Sequence, residues 1–544
     1  MLRITGGKVF DPANGIDGEV RDLFIVDGQI ASSADGARTI DASGMVVFPG
    51  GVDLHTHVAG GSINFARAMT PEDHRRTQAF ISTRSRRSGL GGMAPTTFAT
   101  GYLYAGMGWT TVNEAGVAPL TARHTHEEMN DIPIVDKTSC LLMANNEILL
   151  ELLGQGEYER AKNVVAWYLR AAKVYGIKAV NPGGVAAWKW GKDAKQMTSS
   201  IEGHSNLTPG KIVTQLVRIC DDLGLPHPMH LHCNNLGVPG NIRTTLETMD
   251  HLEGHRAHIA HSQFHAYGGS DWDEMCSESV QLAEYFNTHP NLTTDAGAVL
   301  FGDTVTISAD GPWQHLLYQL TGRKWGNLDV ENETGCGIVP YTYRPSNLVN
   351  VVQWAVGLEL LLLIKNPWQV FISTDHPNGG CFWRYPEIIQ LLMSADHRQE
   401  CMQKISSRIK KRITLPQLDR EYTLYEIATI MSAAPARALG LPQKGNLGIG
   451  CDADIVIYEE ESDVAHMFGH PRYVIKSGQI VIEDGDIRET PNGHEFIIKP
   501  DYDPTTEDFI RPLFEDHYTM SFDNYQVGMD YLENATTRDC LESP

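Results

Sequence analysis

The feature that most constrains the fold is an apolar run, residues 48–57, that ends in two histidines one residue apart. Side chains of a β-strand alternate between its two faces, so His55 and His57 share a face and can hold one metal ion. A pair of this kind also occurs in ordinary core strands. The run therefore predicts a buried strand, and a metal site if later strands supply further ligands.

Length, charge and cysteine content limit the kind of protein that carries this strand. The chain has 544 residues, more than one hydrophobic core usually supports, so we expect a large barrel-type domain and a smaller unit. With 67 acidic and 44 basic residues the net charge is −23, which argues against nucleic acid and against an anionic membrane surface as partners. The nine cysteines form no CxxC pair, which disfavours an iron–sulfur cluster or a zinc ribbon.

Two segments bear on where the protein works. Residues 1–7 lack the apolar core and the cleavage site of a secretory signal. The most apolar segment, residues 349–364, contains Asn350, Gln353 and Glu359, which is typical of a buried amphipathic helix and not of a membrane span. We therefore expect a cytoplasmic protein that does not enter a membrane.

Apolar strand candidates alternate with helical stretches between residues 49 and 430, the pattern of βα units with a parallel sheet. Helices are expected over 208–223, 272–288 and 348–364. Eight strands in series predict an α/β fold, a TIM-like (β/α)8 barrel. The candidates are 52–57, 109–114, 132–143 (with its core at 132–135 or 141–143), 176–182, 227–233, 256–264, 292–300 and 369–375.

The two ends of the chain are rich in β-strand signals. We expect residues 1–48 and 431–500 to form one small discontinuous β-sandwich domain beside the barrel of residues 49–430. Residues 501–544 are acidic and aromatic, and they form a tail that is a candidate for docking to another subunit.

Two connections in the barrel region are too long for simple turns, residues 183–207 and residues 302–346. Loops that follow barrel strands carry the substrate pocket, so these connections are candidates for specificity or lid elements. An interface insertion is the alternative interpretation.

Later strand candidates supply partners for His55 and His57. The fifth ends in a second HxH pair; His232 lies nearer the carboxyl end, where barrel sites are found, and His230 stays open as the alternative. The sixth supplies His261 and the eighth ends in Asp375. Imidazoles and a carboxylate at the same end of four strands predict a hydrolytic metal site.

Lys178 lies in the fourth strand candidate between apolar residues. A buried ammonium group beside a dication is costly, because desolvation and like-charge repulsion both oppose it. Either this side chain points outward, or it is chemically converted to an anion.

The sequence resembles the amidohydrolase superfamily, which includes dihydroorotases and hydantoinases. The matching pieces follow the family order along almost the whole chain: DLHTH at 53–57, Lys178, His232, His261, TDHP at 374–377, APARALG at 434–440 and GIGCDAD at 448–454. In that family the lysine of the fourth strand is often carboxylated and bridges two metal ions. The resemblance implies a carboxylated Lys178 and one or two zinc ions.

More specific motifs resemble the A subunits of formylmethanofuran dehydrogenases and of bacterial formyltransferase/hydrolase complexes. They are HVAGG at 57–61, VNPGG at 180–184, HLHCNNLG at 230–237 and DHPNGG at 375–380. Dihydroorotase-like enzymes usually have an alanine–proline pair after the Asp-His of the eighth strand. The Pro-Asn-Gly-Gly sequence here departs from that pattern and argues against a pyrimidine substrate.

This resemblance implies that the chain hydrolyses the N-formyl amide of formylmethanofuran, or of a bacterial analogue, to formate and amine. Asp375 is the expected general base and then general acid. The expected partners are the other subunits of a one-carbon complex and a furan coenzyme with an acidic tail. In hosts that fix carbon dioxide the reaction is expected to run in reverse.

Weaker expectations concern substrate contacts. Asn64, Arg67, Asn234 and Arg344 are candidates to bind the coenzyme, and Arg344 could pair with a carboxylate of its tail. Trp188, Lys189, Trp190 and Lys192 could contact either that tail or a partner subunit. Two other functions stay open: a stand-alone cyclic amidase that acts on hydantoin-like rings, and a non-catalytic scaffold subunit.

Overall fold

The computed structural model describes residues 1–70, 92–204, 206–328 and 336–541. Eight parallel strands follow one another around a barrel, and each pairs with the next in chain order. They are, from first to eighth, Gly51–Thr56, Trp109–Val117, Asp136–Leu142, Gly176–Val180, Met229–His232, Ala257–Ile259, Leu292–Asp295 and Val370–Phe371. The predicted TIM-like barrel is therefore confirmed.

The barrel closes between its first and eighth strands through a small number of bonds. Thr56 forms a parallel bridge with His376, and the backbone N–H of His57 donates to the carbonyl of His376 at 2.9 Å. Just before this point, Ser373 Oγ donates to the carbonyl of His55 at 2.8 Å. These bonds form the seam of the barrel.

One predicted element agrees with the structure in range and one differs. The third strand, Asp136–Leu142, lies within the predicted range 132–143; it overlaps the second apolar core considered for it, residues 141–143, and begins with the polar residues 136–139. These residues are buried because they find partners, such as the 2.8 Å bond from Thr138 Oγ1 to Asn113 Oδ1. The helix expected over 272–288 begins only at Ser279, because residues 276–277 form a short strand instead.

Segments from both ends of the chain build a separate sheet of nine strands, mostly antiparallel, which was expected from their β-rich sequences. Its core consists of aliphatic side chains from both segments, such as Ile4, Val47 and Ile455. The strands are Leu2–Asp11, Ile16–Val26, Gln29–Ala31, Arg38–Asp41, Met45–Pro49, Ile455–Glu459, Tyr473–Lys476, Gln479–Glu483 and Asp486–Ile487.

Helices surround the barrel, and capping residues fix where several of them begin. Thr208 accepts the backbone N–H of Lys211 ahead of a proline at the first helical position, and Asn347 accepts that of Asn350. Within the described residues, no helix has both the length and the apolar character needed to cross a bilayer. The helices are Gly61–Met69, Thr97–Gly106, Ala122–Asn130, Glu147–Gln155, Tyr158–Ala172, Gly184–Lys189, Pro209–Asp222, Ile242–Asp250, Ser279–Thr288, Gly311–Thr321, Leu348–Leu363, Tyr385–Met393, Ala395–Gln403, Ser407–Lys410, Leu424–Ala428, Ala434–Ala438, Val464–Gly469, Thr505–His517 and Phe522–Tyr525.

The C-terminal segment packs against the outside of the barrel. Strand Glu495–Ile498, which was expected in the composite β unit, pairs with the third barrel strand and with strand Ala535–Arg538. Between these two strands, Phe522 stacks on Trp167 with ring centroids 5.1 Å apart, and both side chains are buried. Whether the outer face of this segment docks to another protein stays a prediction.

The long connection after the seventh strand folds into a small sheet over the carboxyl end of the barrel. Strands Gly302–Ser308 and Gly337–Tyr343 pair antiparallel, and Gly326–Asn327 joins them. Helix Gly311–Thr321 lies between the first two strands in the chain. The other long connection contains helix Gly184–Lys189.

Candidate metal centre

Two groups of metal-binding atoms meet at the carboxyl end of the barrel. In the first group, Asp375 Oδ1 lies 3.1 Å from His55 Nε2 and 3.3 Å from His57 Nε2. Two donors on one tetrahedral zinc ion, each about 2.0–2.1 Å from it, are about 3.3 Å apart. The three atoms therefore have the spacing of ligands to a single ion.

The second group lies on the fifth and sixth strands. His232 Nδ1 and His261 Nε2 are 3.1 Å apart, and both rings are buried. The backbone of His261 is left-handed, with φ of 35°, which turns its side chain toward His232. Gly297 permits this turn, because a Cβ atom at that position would lie 2.4 Å from the Cβ of His261.

Carboxylates hold three of these imidazoles in one orientation. His55 Nδ1 lies 2.9 Å from Asp295 Oδ1, and His57 Nδ1 lies 2.9 Å from Glu114 Oε1. Because an ionised carboxylate only accepts, each Nδ1 carries the proton and leaves Nε2 free for a metal ion. In His232 the roles of the two nitrogens are reversed. Asp310 Oδ2 lies 3.3 Å from Nε2, so Nε2 carries the proton and Nδ1 is left free for a metal ion.

Lys178 points into the barrel and not outward. Its Nζ lies 2.8 Å from His55 Nε2, and the side chain is buried. Burial lowers the pKa of this ammonium group. A small cavity of about 40 Å3, large enough for a water molecule, is lined by Lys178 together with His57, His261 and Asp375.

Neighbouring imidazoles contact both ring nitrogens of His230. Its Nδ1 lies 3.2 Å from Nε2 of His227, whose own Nδ1 donates to the carbonyl of Ala438 at 2.8 Å. Its Nε2 lies 3.3 Å from Nδ1 of His55, the nitrogen that faces Asp295. His230 therefore lies below both groups, whereas His232 faces His261 directly.

The surroundings of the donor atoms favour a metal ion. Asp375 Oδ1 is buried and forms no hydrogen bond with any described residue, although two imidazole nitrogens approach it. Burial lowers the pKa of His55, but Asp295 and Asp375 outweigh this effect and raise the pKa to about 9. A field that favours a proton on His55 also favours a cation there. Burial lowers the pKa values of His232 and His261, which keeps both rings neutral and able to bind a metal.

Asn378 holds Asp375 in place and links it to the connection of residues 302–346. Asn378 Nδ2 donates to Asp375 Oδ2 at 3.0 Å, and Asn378 Oδ1 accepts the backbone N–H of Ile307 at 2.8 Å. Asp375 itself has left-handed backbone geometry, with φ of 49°, which is uncommon for a residue other than glycine. Oδ1 is therefore aimed at the first group while Oδ2 is tied to the connection of residues 302–346.

A larger cavity of about 320 Å3 opens beside the centre. His232 and Asp375 line its inner end, and aromatic side chains line much of the rest: Phe264, Trp272, Trp313, Tyr341 and Tyr343. Several of these belong to the connection of residues 302–346. The cavity is thus an apolar chamber with polar groups at one end, as in sites that bind small molecules.

The four candidate substrate residues lie in different surroundings. Asn64 donates to Glu128, and Arg67 donates to the carbonyls of Ala94 at 3.1 Å and Pro95 at 2.7 Å, so local partners occupy both. Asn234 Nδ2 donates to Asn181 Oδ1 at 2.9 Å. These three are not among the residues lining the two cavities near the centre.

Arg344 follows Tyr343, which lines the larger cavity, and the Arg344 side chain is exposed. Burial raises the pKa of Tyr341, and the positive charge of Arg344 is one of the groups that oppose this rise. In the other long connection, Trp188 and Lys192 line a neighbouring cavity of about 220 Å3, Lys189 lies 3.7 Å from Glu147, and Trp190 is 64 % exposed. A substrate contact for any of these residues stays a prediction.

Sequence reasoning missed the residues that support the ligands. Glu114 and Asp295 lie within the second and seventh strands, inside the ranges predicted for them. A polar residue near the carboxyl end of a barrel strand was the signal that could have found both. Asp310 and Asn378 lie in connections, where no comparable signal exists.

Comparisons with known proteins agree with this geometry. Residues 38–482 match the model of the amidohydrolase family. Protein FwdA of Methanocaldococcus jannaschii is 42% identical, with 98% of this chain and 97% of that protein covered. The A subunit of the formyltransferase/hydrolase complex Fhc of Methylorubrum extorquens is 37% identical, with 99% and 98% covered.

A solved structure resembles the whole chain. The crystal structure of the FhcABCD complex from Methylorubrum extorquens, determined with methylofuran, superimposes with a TM-score of 0.94 at 35% identity and covers 99% of both chains. The chain therefore belongs to the amidohydrolase family, in the group that contains protein FwdA and the A subunit of the Fhc complex.

Proposed function

We propose that this chain hydrolyses the N-formyl amide of a formylmethanofuran-type coenzyme to formate and free amine, as one subunit of a larger one-carbon complex. The observation that carries the proposal is the convergence of His55 Nε2, His57 Nε2 and Asp375 Oδ1 at one end of a 320 Å3 cavity. The full-length similarity to protein FwdA and to the A subunit of Fhc supports the choice of substrate.

The residues that would hold metal ions form two sets. His55, His57 and Asp375 make up one, His232 and His261 the other, and a carboxylated Lys178 would bridge them. Zinc suits nitrogen and oxygen donors of this kind, and when bound it supplies Lewis acidity that activates water near neutral pH. We favour His232 over His230 because His232 faces His261 directly, whereas the rings of His227 and His55 contact both nitrogens of His230.

Carboxylation of Lys178 follows from its surroundings. The lowered pKa leaves more of the side chain as the neutral amine, which can add to carbon dioxide. The new N–C bond forms as the nitrogen loses a proton, and the product is an anion. That change removes the cost of burying an ammonium group beside a cation.

Asp375 transfers the proton in the proposed reaction. Its carboxylate accepts a proton from the attacking water, whose oxygen bonds to the formyl carbon, and donates it to the amine nitrogen as the C–N bond breaks. The water and the amide thus become formate and amine. The bond from Asn378 keeps the carboxylate in the orientation that both transfers require.

The larger cavity suits the furan end of the coenzyme. Its aromatic walls can stack against a flat ring, with centroid separations of about 4.5–7 Å. Arg344, which is exposed and follows the cavity-lining Tyr343, can pair with a carboxylate of the acidic tail. Methylofuran is the ligand in the related FhcABCD structure, and by analogy we place partner subunits of that kind around this chain.

The test is formate release from N-formylmethanofuran by the protein purified with its partner subunits, with zinc measured on the same sample. We expect formate release to require bound metal, and therefore to disappear after chelation and in His55→Ala. Release should persist in His466→Ala, a control at an exposed histidine outside the site. Bound metal with turnover of hydantoin alone would replace the proposal with a cyclic amidase. No bound metal and no turnover would make the chain a scaffold.

A further inference from the structure

A third imidazole lies against the second group of ligands and has no role in the chemistry proposed above. His265 ends a short 3-10 turn, Ser262–His265, that directly follows His261. Its side chain is fully buried and lines neither cavity beside the centre. The motifs that identify the family do not include it.

The three rings have the spacing of imidazoles that share one ion. One ring nitrogen from each of His232, His261 and His265 lies within 4.8 Å of the other two. The ring centroids are 4.7, 5.2 and 5.5 Å apart. Three imidazoles on a single tetrahedral zinc ion, with Zn–N bonds of about 2.0–2.1 Å, have centroids about 5 Å apart.

The nitrogens of His265 need a partner that the protein does not provide. Neither ring nitrogen forms a hydrogen bond with any part of the chain that the structure describes, and His261 Nδ1 is in the same state. A buried polar group without a hydrogen-bond partner destabilises the folded protein by about 1–3 kcal/mol. His258, a buried histidine nearby, differs because Thr293 and Asp295 each lie 3.0 Å from one of its nitrogens.

We propose that His265 is a direct ligand of the second metal ion, which it holds together with His232 and His261. This inference rests on the metal centre of the proposed function. Besides the carboxylated Lys178 that would bridge them, the two ions then differ in their protein ligands: the first has two imidazoles and a carboxylate, the second has three imidazoles. Neutral nitrogen donors suit zinc, so the second ion should be the last to leave when chelator is added.

The experiment compares two variants of His265 in the full chain, purified in its native assembly. His265→Gln removes the imidazole, and His265→Phe removes both nitrogens while keeping a ring beside His261. His126→Gln is the matched control, since His126 is equally buried and binds Glu495 and the carbonyl of Ala172 instead. Zinc content and zinc affinity, by competition with a chromophoric chelator, are measured for each protein.

We expect two zinc ions in the wild type and in His126→Gln. In both His265 variants the second ion should be lost or bound more than about 100-fold more weakly, beyond the 10–100-fold cost of losing an outer-shell partner. Two ions held within tenfold of wild-type affinity in either folded variant would overturn the assignment. A wild type without zinc would instead refute the proposed metal centre, so the two failures can be told apart.

Discussion

Asp295 is the residue on which the geometry of the first group depends most. Its Oδ1 accepts from His55 Nδ1 at 2.9 Å, lies 3.0 Å from His258 Nε2 and accepts the backbone N–H of His261 at 2.9 Å. One carboxylate at the end of the seventh strand thus orients a ligand of the first group and the turn that carries a ligand of the second.

Replacing Asp295 with Asn should weaken metal binding without unfolding the protein. The amide keeps the shape of the side chain but loses the charge that fixes the His55 tautomer. We expect zinc affinity to fall about 10–100-fold, measured by chelator competition. Asp35→Asn, at an acidic residue outside the site, is the control. Affinity within twofold of wild type would show that the carboxylate does not tune the site.

Asp375→Asn should separate chemistry from binding. The amide oxygen can still approach an ion, but the side chain no longer accepts and returns a proton. We expect kcat to fall about 10²–10⁴-fold with little change in KM, in a sample whose metal content is checked. A variant with full metal and a wild-type rate would assign the proton transfer to another group.

The convergence of the candidate ligands could be predicted from sequence, because strand alternation and the carboxyl-end rule place His55, His57, His232, His261 and Asp375 together. The residues that orient these side chains could not be predicted in this way. The carboxylate that holds His55 comes from position 295, and that contact depends on barrel closure and not on local sequence. His230 illustrates the limit, since it has the same parity as His232 and only its contacts with His227 and His55 distinguish the two.

At the scale of elements, the third barrel strand carries a buried ion cluster that joins the barrel to the composite sheet. Asp136 Oδ2 lies 2.7 Å from Lys476 Nζ and also contacts Lys444, and Lys444 Nζ lies 2.9 Å from Asp454 Oδ2. Burial alone raises the pKa of Asp136, but the two lysines outweigh it and hold the pKa below its usual range.

Replacing Asp136 with Asn should leave two buried ammonium groups undercompensated. Removing one member of a buried ion pair typically costs about 3–5 kcal/mol, so we expect a clear fall in thermal stability at pH 7. The measurement is the midpoint of thermal unfolding, with Asp22→Asn as a control for an exposed ion pair.

The pH dependence of this effect has a defined sign. Because the pKa of Asp136 is lower in the folded state, its stabilisation is fully present above the unfolded value of about 3.9 and is lost as pH falls further. The difference between wild type and Asp136→Asn should therefore be largest near neutrality and shrink below about pH 4. A difference that grew on acidification would contradict the role of the two lysines.

This cluster also explains why hydrophobicity alone could not fix where the third strand begins. Apolar runs flank residues 136–139, and the strand that forms includes these polar residues together with Leu141 and Leu142. Long-range partners made polar residues acceptable inside the barrel. The helix Leu348–Leu363 was predictable in contrast, because apolar residues fill most of its length. Its single acidic residue, Glu359, accepts the backbone N–H groups of Thr414 and Leu415, both at 2.6 Å.

At the scale of the whole molecule, the C-terminal segment is part of the core. Phe522 is 1% exposed and stacks on Trp167 of helix Tyr158–Ala172. We expect Phe522→Ala to destabilise the protein by about 3–5 kcal/mol, as measured by denaturant unfolding. Phe98→Ala, at a phenylalanine that is 52% exposed, should change stability far less. Equal effects would mean that the segment contributes little to the fold.

The seam between the first and eighth strands has one more consequence. His55 and His57 lie on one side of it and Asp375 on the other, so an ion held by all three connects the two edges of the sheet that few backbone bonds join. Chelation should speed hydrogen–deuterium exchange of the His57 amide far more than that of Leu231, which lies within the sheet. Equal protection with and without metal would show that the sheet closes unaided. If the expectation holds, loss of the metal removes activity and opens the barrel at the seam in the same event. In a cell short of metal, chains opened at the seam would then be exposed to proteases.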